Sequence, residues 1–297
     1  MKILNFGSLN IDMTYTMDHF VRPGETQAAL KLESFCGGKG LNQSIAAAQA
    51  GATVYHAGKV GPDGGILTDR LAEGGVNTHY ISYSSGPSGH AIIQVDSSGQ
   101  NCIILYGGAN QEITPDDVDE VLRDFDEGDL LLLQNEISSL PYLLKKAAEK
   151  GMVIALNPSP ISAALAAADL SMVKYFLLNE LEGRELTGES EPEAICRALL
   201  QKYPGCRVVL TLGDRGAVYT DGKETYSHGI YKVNVVDTTA AGDTFTGYFL
   251  ACITEGLSPE AALEKASKAS GLAVSRPGAS DSIPTRAEVD TTAIKLA

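Results

Sequence analysis

The strongest constraint on the fold is a rhythm. Apolar runs at 2–7 (KILNFG), 53–61 (TVYHAGKVG), 130–134 (LLLLQ), 153–157 (VIALN), 175–179 (YFLLN) and 207–213 (RVVLTLG) alternate with helical patterns such as 44–51, 141–151 and 193–203. Short apolar runs without polar alternation are strands buried on both faces, and helices between them are the crossovers that a parallel sheet needs. The expected fold is therefore α/β, a mainly parallel central sheet covered by helices on both sides. Ligands in such sheets collect at the carboxyl ends of the strands. Asn157, Asn179 and Thr211 each close an apolar run, so polar side chains gather at that end.

A length of 297 residues suits one large domain with at most a small appendage. No stretch approaches 18 consecutive apolar residues, which excludes a membrane-spanning helix. The N-terminal MKILNFGSLNID carries one lysine and no apolar signal core, and reads as a strand. The five cysteines (Cys36, Cys102, Cys196, Cys206, Cys252) form no CxxC pair. Buried free thiols in a reducing, cytoplasmic setting are expected, and a structural zinc site is not. A net charge of −14 argues against a nucleic-acid partner. Nucleotides and sugars stay open, because backbone amides and a divalent metal can hold a phosphate on an acidic protein.

Two segments break the rhythm. Residues 12–36 and 88–106 alternate apolar and polar positions, and AIIQVD and NCIILY flank a four-residue SSGQ turn. Such segments suit antiparallel strands with one wet face, either as a small sheet standing off the main domain or as its edge strands. The acidic stretch around Glu112–Asp129 reads as a solvated helix face.

The segment DTTAAGDTF (237–245) carries the clearest chemistry. Ala240, Ala241 and Gly242 precede Asp243, and a helix follows with Phe245, Phe249, Cys252, Ile253 and Leu257 on one stripe, stopped at Gly256. Small residues at a helix start leave N–H groups uncovered, and with the helix dipole they favour an anion. A carboxylate at the same place can take a proton from an attacking hydroxyl. An ordinary capped helix packed closely on a strand would read the same way in isolation. Other phosphate machinery is missing: there is no GxxxxGK[ST], no HRD or DFG, and GGKG at 37–40 lacks the third glycine of a dinucleotide fingerprint. No GxSxG or HExxH supports a hydrolase.

DTTAAGDTFTG (237–247) together with FCGGKGLNQSIAAAQAGA (35–52) resembles the two signatures of the ribokinase-like (PfkB) carbohydrate kinases. GSLNID (7–12), RPGET (22–26), GKVGPDGG (58–65), GGAN (107–110), LLQNE (132–136), NELE (179–182), TLGDRG (211–216) and SRPGAS (275–280) follow in that family's order. The likeness spans the chain and is strongest to the branch that phosphorylates ribose. It implies a three-layer fold of one domain, with a small β-sheet lid formed by the insertions at about 12–36 and 88–106.

Carried over residue by residue, the resemblance makes Asp243 the base and the amides of Ala241, Gly242 and Asp243 an anion hole. Asn179 and Glu182 match the NxxE pair that organises Mg²⁺ and phosphate, largely through water. Thr211, Gly213, Asp214 and Gly216 would lie along ATP, with Ser267 towards the adenine. The sugar would meet Asn10 and Asp12 at the end of the first strand, then Gly38, Lys39 and Asn42, and Glu136. Taken singly, Asp12 or Lys39 would pass for a turn cap or a solvated charge. A monovalent-cation site, K⁺ as a rule, is also implied: Asp237 and Thr239, backbone carbonyls of Ala273, Arg276 and Gly278, and the hydroxyl of Ser282. Asp237 could equally cap the loop before the helix. A lid that excludes water and pairs with a second subunit's lid is part of the same resemblance, so a homodimer is expected.

The departures bear on the acceptor. Leu41 and Gly107 stand where alanine is common in the family, and Cys36 immediately precedes the glycines. The expectation is transfer from ATP to the primary hydroxyl of a furanose, D-ribose at O5 first, with fructose or a ribonucleoside such as pseudouridine as alternatives. A catalytically silent sugar sensor is the contrasting class, and an intact Asp243 beside an intact AAG argues against it.

Overall fold

Beginning at β1 (Ile3–Phe6), the chain leaves the main sheet for β2 (Asn10–Thr16) and β3 (Lys31–Gly37), then returns through α1 (Lys39–Gln49) to β4 (Val54–Val60). After α2 (Gly65–Glu73) and β5 (Asn77–Tyr83) it makes a second excursion, β6 (Gly89–Val95) and β7 (Asn101–Tyr106). There follow α3 (Pro115–Leu122), β8 (Leu130–Gln134), α4 (Leu140–Glu149), β9 (Val153–Asn157), α5 (Ala163–Ala166), β10 (Tyr175–Asn179) and α6 (Glu180–Thr187). The rest is α7 (Pro192–Lys202), β11 (Arg207–Thr211), β12 (Ala217–Thr220), β13 (Thr225–His228), α8 (Ala241–Thr254), α9 (Pro259–Val274) and α10 (Arg286–Thr291). The computed structural model describes residues 1–297.

The main sheet has nine strands in the order β13-β12-β11-β10-β9-β8-β1-β4-β5. From β5 to β11 every pairing is parallel, and β12 and β13 add an antiparallel edge. Successive side chains of a strand point to opposite faces, which explains the unbroken leucines of β8. Leu130 and Leu132 enter a core of 33 buried residues with α1, α8 and α9, whereas Leu131 and Leu133 enter one of 32 with α3, α4 and α7. All four are 0% exposed, and each contributes about 2 kcal/mol by its burial. The three-layer α/β architecture expected from the sequence is thus present. β5, β12 and β13 are strands that the apolar pattern did not announce.

The two irregular segments form a separate sheet, β3-β2-β6-β7. β2–β3 and β6–β7 are antiparallel as expected, but β2 and β6 run parallel, joined through the whole β3–β5 stretch and not by a hairpin. β7 is exposed along its whole length. The cysteines are unpaired; Cys196, Cys206 and Cys252 are buried, but Cys36 is only half-buried and Cys102 is exposed on β7, where the strand has no covering layer. In the acidic stretch, α3 begins with a capping box between Thr114 and Asp117. No helix is long and apolar enough to cross a membrane.

One contact fixes the site. α8 lies against α1 at Gly247, where a Cβ would come within 2.5 Å of the Ala46 Cβ and 2.6 Å of the Ala47 nitrogen. Only glycine permits that approach, and it brings the first turns of both helices together at the carboxyl ends of the strands.

Candidate active site

The first turn of α8 is preceded by Ala240 in the left-handed conformation (φ 59°). Ala241 N–H donates to the Thr238 carbonyl at 3.3 Å, while the amides of Gly242 and Asp243 have no acceptor in the chain. Two unpaired amides at a helix start, with open space beside Gly242, make a small anion cradle. They face a cleft of about 250 Å³ whose polar wall includes Lys39, Asn179, Glu182, Thr211 and Asp243.

Both oxygens of Asp243 accept a hydrogen bond from α1: Oδ2 from Asn42 Nδ2 at 3.1 Å, Oδ1 from Gln43 Nε2 at 2.9 Å. A carboxylate has about four lone-pair sites, so it retains capacity for a substrate hydroxyl. α1 is entered through Gly38 at φ 95°, a conformation that favours glycine, and the turn delivers Lys39 into the cleft. Burial alone would pull the Lys39 ammonium down, but the carboxylates of Asp243, Glu136 and Glu182 reverse this and hold it above its ordinary value.

A second cleft of about 190 Å³ is lined by Asn10, Gly107, Asn110, Gln111 and Glu136. Glu136 Oε2 accepts the Lys39 amide at 3.2 Å and the Ser8 hydroxyl, which leaves Oε1 for a ligand. Burial pushes the Glu136 carboxyl up, against the opposing pull of Lys39 and Ser8. Asp12 lies two residues beyond Asn10 on β2, and burial followed by the neighbouring Glu136 raises it to about 6. Asn10 Oδ1 accepts Asn110 Nδ2 at 2.8 Å, and Asn110 also holds both backbone groups of Leu9, N–H at 3.0 Å and C=O at 3.2 Å. Asn10 therefore presents its NH₂ group to the cleft.

Also lining the first cleft, Asn179 and Glu182 form the capping box of α6: Asn179 Oδ1 accepts Glu182 N–H and Glu182 Oε2 accepts Asn179 N–H, both at 2.9 Å. The second Glu182 oxygen has no partner in the chain. No group of three His, Cys, Asp or Glu forms a protein-only metal site; one carboxylate beside a phosphate cradle suits Mg²⁺, which keeps most of its water. Gly213 and Asp214 form a 3₁₀ turn after β11 that ends at Gly216, outside the lining of the first cleft. Ser267 is buried on α9 and reaches neither cleft. It is Ser270, one turn on, whose hydroxyl donates to the Ala241 carbonyl at 3.0 Å.

Asp237 accepts Thr239 N–H at 2.9 Å and Gly278 N–H at 3.1 Å, tying the loop before α8 to the turn after α9. Burial opposes ionisation of Asp237, but the Thr239 and Gly278 contacts outweigh it and lower its pKa. The Ala273 carbonyl accepts Arg276 N–H at 3.1 Å, and buried Ser282 donates to the Ala279 carbonyl at 2.8 Å. Both Asp237 oxygens and the Ala273 carbonyl thus already accept N–H groups of the chain, and a monovalent cation here would be held by their remaining lone pairs.

Sequence reading missed Ser8, Gln43, Asn110 and Gln134. Gln43 had a signal: it lies four residues after Lys39, hence on the same face of α1. Gln134 closes LLLLQ just as Asn157 closes VIALN. Ser8 and Asn110 act through partners 100 to 128 residues away, which leave no pattern.

Comparison with known proteins identifies the family. The family described as "pfkB family carbohydrate kinase" matches residues 1–286. The ribokinase of Bacillus subtilis is 33% identical over 296 residues, 97% of this chain and 98% of that protein. The structure of Arabidopsis thaliana ribokinase complexed with ribose and ATP superposes with a TM-score of 0.86 at 32% identity, covering 97% of each chain. That of Cryptococcus neoformans ribokinase with ADP also gives 0.86, at 31% identity over 97% of this chain and 98% of the other.

Proposed function

The chain belongs to the pfkB family of carbohydrate kinases, and on that premise we propose that it transfers the γ-phosphoryl group of ATP to O5 of D-ribose. The observation that carries the reading is the hydrogen bond that ties Lys39 of one cleft to Glu136 of the other, with Asp243 and two free amides in the first and Asn10 and Glu136 in the second. A sugar held by the second cleft would point its primary hydroxyl towards Asp243.

Asp243 takes the proton as O5 attacks the γ-phosphorus; the bond from phosphorus to the bridging oxygen breaks, and ADP leaves. The Gly242 and Asp243 amides and Lys39 meet the charge on the transferring group, which is where such catalysis derives most of its effect. Glu136 Oε1 and the carboxylate of Asp12 would accept sugar hydroxyls, and the NH₂ of Asn10 would donate to one. Glu182 would hold Mg²⁺ through water, and the ion would neutralise phosphate charge. Asp237, Thr239 and the carbonyls of Ala273, Arg276 and Gly278, with Ser282, would hold a monovalent cation that steadies the loop before α8.

The β3-β2-β6-β7 sheet would serve as a lid that excludes water from the reaction. Ile103, Ile104 and Leu105 are more than half exposed on it, and a patch of that kind supports pairing with a second copy. Use of ATP as donor and the five unpaired cysteines fit a cytoplasmic enzyme.

The test is ATP consumption with ribose, deoxyribose, fructose, adenosine and pseudouridine. Ribose is expected to give the highest kcat/KM; a higher value for any other acceptor replaces ribose, and binding without turnover across the panel replaces the kinase with a sensor.

A further inference from the structure

Behind Asp243 runs a chain of buried polar side chains that the phosphoryl-transfer reading does not use. Its two ends are backbone carbonyls, which can only accept. At one end His56, 0% exposed, has Nε2 at 3.2 Å from the Gly7 carbonyl, so Nε2 carries the hydrogen and Nδ1 must accept. Burial pulls His56 down to about 4, so the ring is neutral at working pH. Nδ1 then accepts the Ser44 hydroxyl at 2.8 Å, and Ser44 Oγ accepts Asn5 Nδ2 at 2.9 Å. Asn5 Oδ1 accepts Gln134 Nε2 at 3.1 Å, and the same NH₂ donates to Gln43 Oε1 at 2.7 Å. The direction of the chain leaves the Gln43 NH₂ one way to face: Asn157 Oδ1 at 3.0 Å and Asp243 Oδ1 at 2.9 Å.

The other end demands the same answer. Asn157 Nδ2 donates to the Leu177 carbonyl at 2.9 Å, so Asn157 Oδ1 is the side turned to Gln43. Two independent anchors on different strands thus fix one amide. Gln43 and Gln134 are 0% exposed, and rotating either amide would set oxygen against oxygen in the core, where unpaired polar groups are costly.

We propose that Gln43 is the positioning residue of Asp243: a one-directional chain of buried amides holds its NH₂ towards Oδ1, so that the carboxylate keeps one orientation at the cleft. Asn42 alone, whose Oδ1 has no partner in the chain, would hold the carboxylate at one oxygen only. The charged groups that share the site with Asp243 are Lys39, Glu136 and Glu182, and none lies on this buried side. The proposal rests on the reading of Asp243 as the base.

The test uses two variants of the full chain, with Asp243→Asn as a control. Gln43→Met keeps the length of the side chain and removes the donor; kcat is expected to fall at least ~10-fold, as for loss of a hydrogen bond to a charged group, with both KM values within about threefold. Gln43→Glu keeps the shape but places a second carboxyl against Asp243, so the acid limb of the kcat/KM–pH profile is expected to move up by at least about one unit, as like charges sharing a site do. A wild-type kcat in the first variant, or an unmoved limb in the second, overturns the proposal. If Gln43→Met does not fold, the profile of Gln43→Glu decides alone. Turnover retained in Asp243→Asn would instead remove the base assignment, whatever the Gln43 variants do.

Discussion

Asn42 and Asp243, 201 residues apart in the chain, meet at 3.1 Å between the first turns of α1 and α8. Their meeting depends on the close approach of the two helices at Gly247, one turn further along α8, because a donor on one helix can serve a carboxylate on the other only at that spacing.

Gly247→Ala therefore tests whether activity depends on that packing. The added methyl would press on the Cβ of Ala46 and the backbone of Ala47, neither of which can rotate away. A loss of stability of about 1–3 kcal/mol is expected from overpacking, with a fall in kcat larger than the change in either KM. Chemical denaturation and steady-state kinetics on one preparation check both.

Asp12 gives a pH dependence with a defined sign. Its folded carboxyl is raised from 3.8 to about 6, so below pH 6 the proton occupies the group that would accept a sugar hydroxyl. The sugar KM is expected to rise roughly tenfold between pH 7.5 and pH 5, and to be high and flat in Asp12→Asn. For stability the sign is opposite: the raised pKa favours the fold fully below about pH 4 and that contribution is lost as pH rises through 6. At pH 7.5 Asp12→Asn should therefore melt higher than the wild type while binding sugar worse.

These residues were not equally legible. The continuous apolar runs gave the parallel sheet because leucines such as those of β8 are buried on both faces, and Asp243 stood out because small residues before a carboxylate at a helix start have few other uses. β12 (AVYT) and β13 (TYSH) went unread because a short antiparallel edge mixes polar and apolar positions. Gln43 and Gln134 were invisible for a different reason: their partners lie on other strands, and a buried amide network has no period. Ser267 lines neither cleft because its helix face turns into the core, which spacing within one helix does not reveal.

Glu182→Gln separates structure from metal binding. Glutamine at the third position of α6 can still complete the capping box with Asn179, so the melting temperature should stay within about 2 °C. The Mg²⁺ concentration for half-maximal rate should rise at least ~10-fold, by analogy with weakened ligand shells. An unchanged Mg²⁺ titration would leave Glu182 as a cap alone.

Replacing potassium by tetramethylammonium at constant ionic strength tests the loop held by Asp237. The rate is expected to fall by about fivefold or more, the scale of a modest coupling energy, and Asp237→Asn should be insensitive to the exchange. Equal rates in the two salts would remove the cation from the account.

The central claim is that Asp243 accepts the proton of the attacking hydroxyl, and Asp243→Asn tests it most directly, with sugar binding measured by calorimetry beside turnover. The expected result is a sugar Kd within a few fold of wild type and turnover lower by at least ~100-fold, the lower range for losing a general base. Near-normal turnover in the asparagine variant would contradict the account.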